Sequence, residues 1–175
     1  MDRTLIATVA DRPGVLNRVA SMFRRRAFNI ESLTVGHTER QGVSRMTIVV
    51  DSRRTDAQKV AQNLEKLVDV LDVQDVTDRP AVLHDLALIK VEISGGGARS
   101  EVIRIAESFH GRLVDMCPQT AVIEVAGSER TIDTVVEALR DHGILEMVRT
   151  GRVAMVRGEP LPDFHGTQQD EGGSA

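Results

Sequence analysis

The chain has 175 residues, enough for one or two small domains. Its 22 basic and 26 acidic side chains leave a formal charge of −4, which favours solubility without the positive field that nucleic acid demands. One cysteine, Cys117, excludes an intramolecular disulfide and reads as a free structural thiol; no apolar run approaches the ~20 residues of a membrane span. With no basic-then-apolar segment at its start, the chain is expected in the cytoplasm.

In chain order, residues 5–10 form an apolar strand that runs into Asp11-Arg12-Pro13-Gly14. A helix follows, with Val15, Leu16, Val19, Ala20, Met22 and Phe23 on one face and Arg24-Arg25-Arg26 at its end, where cations suit the helix dipole. The strand-to-helix corner sets a carboxylate, a glycine and helix N–H groups without internal partners side by side. Asp11 there is either a helix cap or the holder of a ligand ammonium, and the helix end would take the ligand's carboxylate. Gly14 favours the second reading, because a helix former would be cheaper by roughly 1 kcal/mol unless something approaches the backbone closely.

Strands are predicted at residues 32–38 and 43–51, joined by a hairpin through Glu39-Arg40-Gln41-Gly42. From Asp56, a plausible N-cap, the spacing of Ala57, Val60, Ala61, Leu64 and Leu67 turns helical, and a strand covers residues 70–77. The order then repeats. After a linker at 79–85 come a strand over 86–93, a helix over 99–110, strands near 112–116 and 121–126 with Pro118 between them, a helix over 131–142 and one or two strands in 145–156. Residues 159–175, rich in Pro, Gly, Asp, Gln and Ser, are expected to be a disordered tail.

Two strand-helix-strand pairs per unit specify α+β architecture: two tandem ferredoxin-like (βαββαβ) domains, each with both helices on one face of an antiparallel sheet. The other face must meet water or a partner, and the short apolar edge strands favour pairing with a second copy.

Enzyme chemistry finds little support. His37, His84, His110, His142 and His165 lack metal-ligand spacing, Cys117 has no Cys-x-x-Cys partner, and no Gly-x-Ser-x-Gly elbow occurs. No catalytic, cofactor-binding or metal residue is assigned. Ser94-Gly95-Gly96-Gly97 matches neither the dinucleotide fingerprint nor the P-loop and reads as a flexible turn. RNA binding on this fold stacks bases on strand aromatics, and no Phe, Tyr or Trp falls in a predicted sheet strand.

With Asp11-Arg12-Pro13-Gly14, Asn29-Ile30-Glu31-Ser32-Leu33-Thr34-Val35, Ser44-Arg45-Met46-Thr47-Ile48 and Lys66-Leu67-Val68-Asp69-Val70 in place, the sequence resembles the regulatory small subunits of acetolactate (acetohydroxyacid) synthase over residues 4–158. The resemblance implies an amino-acid-binding ACT domain over 1–78 and the small subunit's C-terminal ferredoxin-like domain over 86–158. It further implies a non-catalytic chain that activates a large catalytic subunit and confers feedback inhibition by valine or a related amino acid in isoleucine and valine biosynthesis. That partner is expected to use thiamine diphosphate, Mg2+ and FAD. A homodimer through the ACT domain is implied, with the effector between Asp11, Gly14, Val15 and Leu16 of one copy and Asn29 and Ile30 of the other. Val35 would be a possible neighbour of the effector's side chain. Alternatives are a stand-alone ACT regulator of another enzyme or operon, and an enzyme whose unrecognised site lies in the second unit.

Overall fold

The computed structural model describes residues 2–95 and 97–158; the expected tail at 159–175 lies outside them. The first unit runs β1 (Asp2–Ala10), α1 (Val15–Arg25), β2 (Ser32–His37), β3 (Val43–Asp51), α2 (Ala57–Leu64) and β4 (Val70–Asp75). Its antiparallel sheet has the order β2-β3-β1-β4. The second comprises β5 (Ala81–Glu92), α3 (Ala98–Ser108), β6 (Arg112–Met116), β7 (Thr120–Gly127), α4 (Glu129–Leu139), β8 (Ile144–Arg149) and β9 (Val153–Val156). Its sheet has the order β6-β7-β5-β8, with β9 also paired to β5. The α+β, doubly repeated plan is the one the periodicity specifies.

Alternation builds each core. Leu5, Ala7 and Val9 of β1 and Met46, Ile48 and Val50 of β3 face Val15, Val19, Met22 and Phe23 of α1 and Val60 and Leu64 of α2, all buried. A fully buried aliphatic or aromatic side chain contributes about 1.5–3 kcal/mol of transfer free energy. The second core repeats the pattern with Ala87, Ile89 and Val91 against Val102, Ile105, Ile132 and Leu139.

Local signals set several ends. Asp56 caps α2, its carboxylate accepting from the N–H groups of Gln58 and Lys59. α1 stops in a turn where Phe28 N–H donates to Phe23 O at 3.0 Å and Ala27 N–H to Arg24 O at 3.2 Å, with Ala27 at φ +52°. The rings of Phe23 and Phe28 meet edge to face at 6.2 Å, and this locked turn aims the chain at Asn29 and Ile30.

The structure departs from the sequence expectations in three places. The segment expected as a linker, 79–85, is strand from Ala81, because Ala81–His84 pair with Val153–Val156. α4 starts at Glu129, capped by Ser128, and its last turn, Arg140–His142, tightens to a 3-10 helix. The face of the first sheet turned away from its helices meets the second unit: Ile6 and Val76 pack with Ala154, Leu83 and Val156. No helix among the described residues is long and apolar enough to cross a membrane.

Candidate functional site

The corner after β1 is pinned on both sides. Asp11 N–H donates to Gly42 O in the β2–β3 turn at 2.8 Å, and Ala10 N–H to Asp69 O before β4 at 2.8 Å. Gly14 is the residue at the helix start, at φ +88°, with no side-chain cap. That left-handed conformation costs any L residue about 1–2 kcal/mol, which is the local reason for glycine. Asp11 is therefore not the cap. Its half-exposed carboxylate instead meets His37 Nδ1 at 3.2 Å, and the same nitrogen lies 3.5 Å from Ser44 Oγ.

The helix end expected to take a ligand carboxylate presents the amides of Gly14, Val15 and Leu16. Val15 N–H is taken by Arg12 O at 3.3 Å and its side chain is buried in the core. The N–H groups of Gly14, Leu16 and Asn17 have no acceptor among the described residues. Leu16 is 47 % exposed and Val35 43 %, so both offer apolar surface beside the corner.

Arg18 and His37 escaped the sequence reading. Arg18 sits one turn beyond Gly14, and helical side chains lean toward the N-terminus. Its Nη1 lies 3.3 Å from where a β-carbon on Gly14 would stand. Its Nη2 makes a 2.6 Å ion pair with Asp69 Oδ2, a nearly buried oxygen that the guanidinium meets out of line for a hydrogen bond. The spacing of four between Gly14 and Arg18 was the available signal. For His37, which approaches only through the sheet, there was none.

Asn29 and Ile30 lie elsewhere. Asn29 Nδ2 donates to Glu31 Oε1 at 2.6 Å and its N–H to Thr55 Oγ1 at 3.3 Å, while Ile30 packs against the first core. Ala10 is opposite Val43 on β3 and Ser32 is opposite Val49. Six residues of strand therefore separate the two groups, about 20 Å at ~3.3 Å per residue. Within one chain Asp11, Gly14 and Leu16 come together; Asn29 and Ile30 form a separate pair at the opposite end of the sheet.

A cleft of about 700 Å³ opens between the units, lined by Asp2, Glu31, Asp51, Arg53, Arg149 and Arg152 among others. Its charged walls suit water and ion pairs more than an aliphatic side chain. In the second unit the corresponding corner is capped by Gly97 at φ +99°, again without a side-chain cap, and has no acidic group in the place of Asp11. Cys117 is exposed, and among the described residues no group of His, Cys, Asp and Glu is placed to hold a metal ion.

Comparison with known proteins gives consistent matches. Residues 5–72 match the family model "AHAS small subunit-like ACT domain", and residues 84–158 match "Small subunit of acetolactate synthase". The acetolactate synthase small subunit of Bacillus subtilis is 43% identical over 159 residues, spanning 90% of this chain and 92% of its own. That of Aquifex aeolicus is 46% identical over 149 residues, 85% of this chain and 78% of its own. The crystal structure of the acetolactate synthase small subunit from Thermotoga maritima superposes with a TM-score of 0.82 at 31% identity, covering 91% of this chain and 99% of that one.

Proposed function

Since the chain belongs to the family of acetolactate synthase small subunits, we propose that it activates a cytoplasmic large catalytic subunit and makes it sensitive to valine or a related branched-chain amino acid. The large subunit would hold the thiamine diphosphate, Mg2+ and FAD and perform the condensation. This chain would bind the effector alone.

One observation carries the effector reading: the polarity of β2. Its free edge ends at His37, beside Asp11, and begins two residues after Ile30. A two-fold axis that pairs β2 with β2 of a second copy reverses the partner strand. The partner's Asn29 and Ile30 then stand beside Asp11, Gly14 and Leu16, closing the 20 Å gap that no single chain can close. In that interface the ligand carboxylate faces the N–H groups of Gly14, Leu16 and Asn17. The ammonium lies between Asp11 and the partner's Asn29, and Leu16 and the partner's Ile30 meet the aliphatic side chain. Because two copies share one ligand, occupancy favours one dimer geometry, and this differential affinity is what regulation requires.

The test is reconstitution with the cognate large subunit. Acetolactate formation from pyruvate should rise on addition of the chain and fall again as valine is titrated in. Calorimetry with valine, leucine and isoleucine ranks the effectors, which differ by typically ~1–3 kcal/mol in an apolar pocket. A large subunit equally active with and without the chain, at any valine concentration, refutes the proposal.

A further inference from the structure

The outward side chains of β2, Ser32 and Thr34, are half-buried against the second unit. Thr34 Oγ1 donates to the carbonyl of Thr150 at 3.1 Å, and Ser32 Oγ accepts from the N–H of Arg152 at 3.2 Å. Both partners belong to the loop between β8 and β9. Gly151, between them, is at φ +81°, and a β-carbon there would collide with Ser32 Oγ. Only glycine lets the loop come this close.

The loop is fastened to its own unit as well. Thr150 N–H donates to Leu86 O at 3.0 Å, and Leu86 N–H donates to Thr150 Oγ1 at 3.1 Å. The guanidinium of Arg152 spans the junction: Nη1 donates to Thr4 Oγ1 of β1 at 2.9 Å and Nη2 to Glu129 at 2.5 Å, in the first turn of α4. Arg45 of β3 adds a 2.9 Å bond to Ala154 O.

Ser32 follows Ile30 by two residues, and β2 is an edge strand whose one ladder partner among the described residues is β3. A shift at its start is therefore handed to Ser32 and Thr34, and from them to a loop that cannot yield without moving β5 and α4. We propose that Thr150-Gly151-Arg152 is the relay through which the effector's state at β2 reaches the second unit, with Gly151 and Arg152 as its positioning residues. The proposal rests on the regulatory reading above. It makes the second unit, by way of α4, the output half of the chain.

The experiment uses the full chain reconstituted with the large subunit. Gly151→Ala pushes the loop off Ser32, and Arg152→Met cuts the span between Thr4 and Glu129. Both variants should bind valine within about threefold of the wild type by calorimetry and should still activate the large subunit without valine. The valine concentration for half-inhibition should rise at least about tenfold. Adding Ser32→Ala to Gly151→Ala removes the obstructing oxygen and with it the acceptor of the Arg152 N–H, so the double variant should stay as insensitive to valine as the single one. Wild-type inhibition in both single variants overturns the relay. So does loss of valine binding, which would put the loop in the pocket, and so does loss of activation alongside inhibition, which would make it a scaffold. A wild-type chain that neither binds valine nor transmits inhibition overturns the regulatory reading itself and takes the relay with it.

Discussion

Gly14 offers a contrast between shape and charge. At φ +88° either Gly14→Ala or Gly14→Asp costs about 1–2 kcal/mol of stability. The new β-carbon adds little to this, since the atom it meets at 3.3 Å is the mobile tip of Arg18. Both variants should melt ~2–8 °C below wild type, at ~2–4 °C per kcal/mol for a chain of this size. Their ligand responses should then diverge. A carboxylate at the helix start lies roughly 4 Å from the ligand's own, worth about 1 kcal/mol of repulsion in water and about 4 kcal/mol at a protein-surface dielectric. The corner is open, so about 1–2 kcal/mol applies, or roughly 5- to 30-fold weaker valine binding for Gly14→Asp. Pairing of the new carboxylate with Arg18 would screen it and hold the loss toward the lower figure. Gly14→Ala should change affinity by less than about threefold. Calorimetric titration of both folded variants decides: equal losses, or an Asp variant within twofold of wild type, refute a carboxylate-binding corner.

Asp11→Ala should weaken valine about ten- to a hundredfold, the loss of one charge-assisted bond of about 1.5–3 kcal/mol; an unchanged titration curve removes Asp11 from the site. Ala27→Gly should raise stability by up to about 1 kcal/mol by relieving a left-handed alanine at φ +52°, and a lowered melting temperature would show that the turn is unstrained. Hydrogen bonds from the side chain and backbone of Arg53 hold the Asp51 carboxyl well below the usual carboxylate range. A depressed folded-state pKa stabilises above the unfolded value near 4 and is lost as pH falls toward the folded one. The urea midpoint of wild type should therefore drop more steeply below pH ~4 than that of Asp51→Asn, and parallel curves contradict this. A fragment ending at Arg79 contains Asp11, Gly14, Asn29 and Ile30 but uncovers Ile6 and Val76, which are at most 1% exposed in the whole chain. It should bind an apolar reporter dye that the intact chain excludes, and dye binding no greater than that of the intact chain would contradict the covered face.

What could be read in the residues was local. The Asp56 cap, the hairpin over 39–42 and the alternation of Met46, Ile48 and Val50 along β3 are decided by neighbours in sequence, and those elements stand where their patterns put them. The start of β5 was hidden because its first residues find their partners some seventy positions away, while Asp78-Arg79-Pro80 punctuates the chain as a loop would. The covering of the first sheet was hidden for the same reason: alternation marks Ile6 and Val49 as outward without saying what meets them. At the corner, Gly14 reads in sequence as room for a close approach to the backbone, whereas its φ of +88° is what demands glycine; the His37–Asp11 contact depends on strand order. So does the separation of Asn29 from Asp11, which no motif encodes.

β5 carries a mechanical consequence. Two repeated units ordinarily meet at a few unpaired residues about which each can swing. Here the connecting segment is tied down, with Val76 N–H on Thr4 O, Arg157 N–H on Pro80 O and Arg3 on Asp78, and beyond it β5 continues as one beam about 40 Å long at ~3.3 Å per residue. Its first third is gripped by β9 and the remainder by β7 and β8. Bending that beam means tearing ladder bonds. Rotation of one half against the other is confined to the small twists that a paired sheet tolerates, so the chain works as a torsion bar, passing on a few degrees of turn without opening like a hinge.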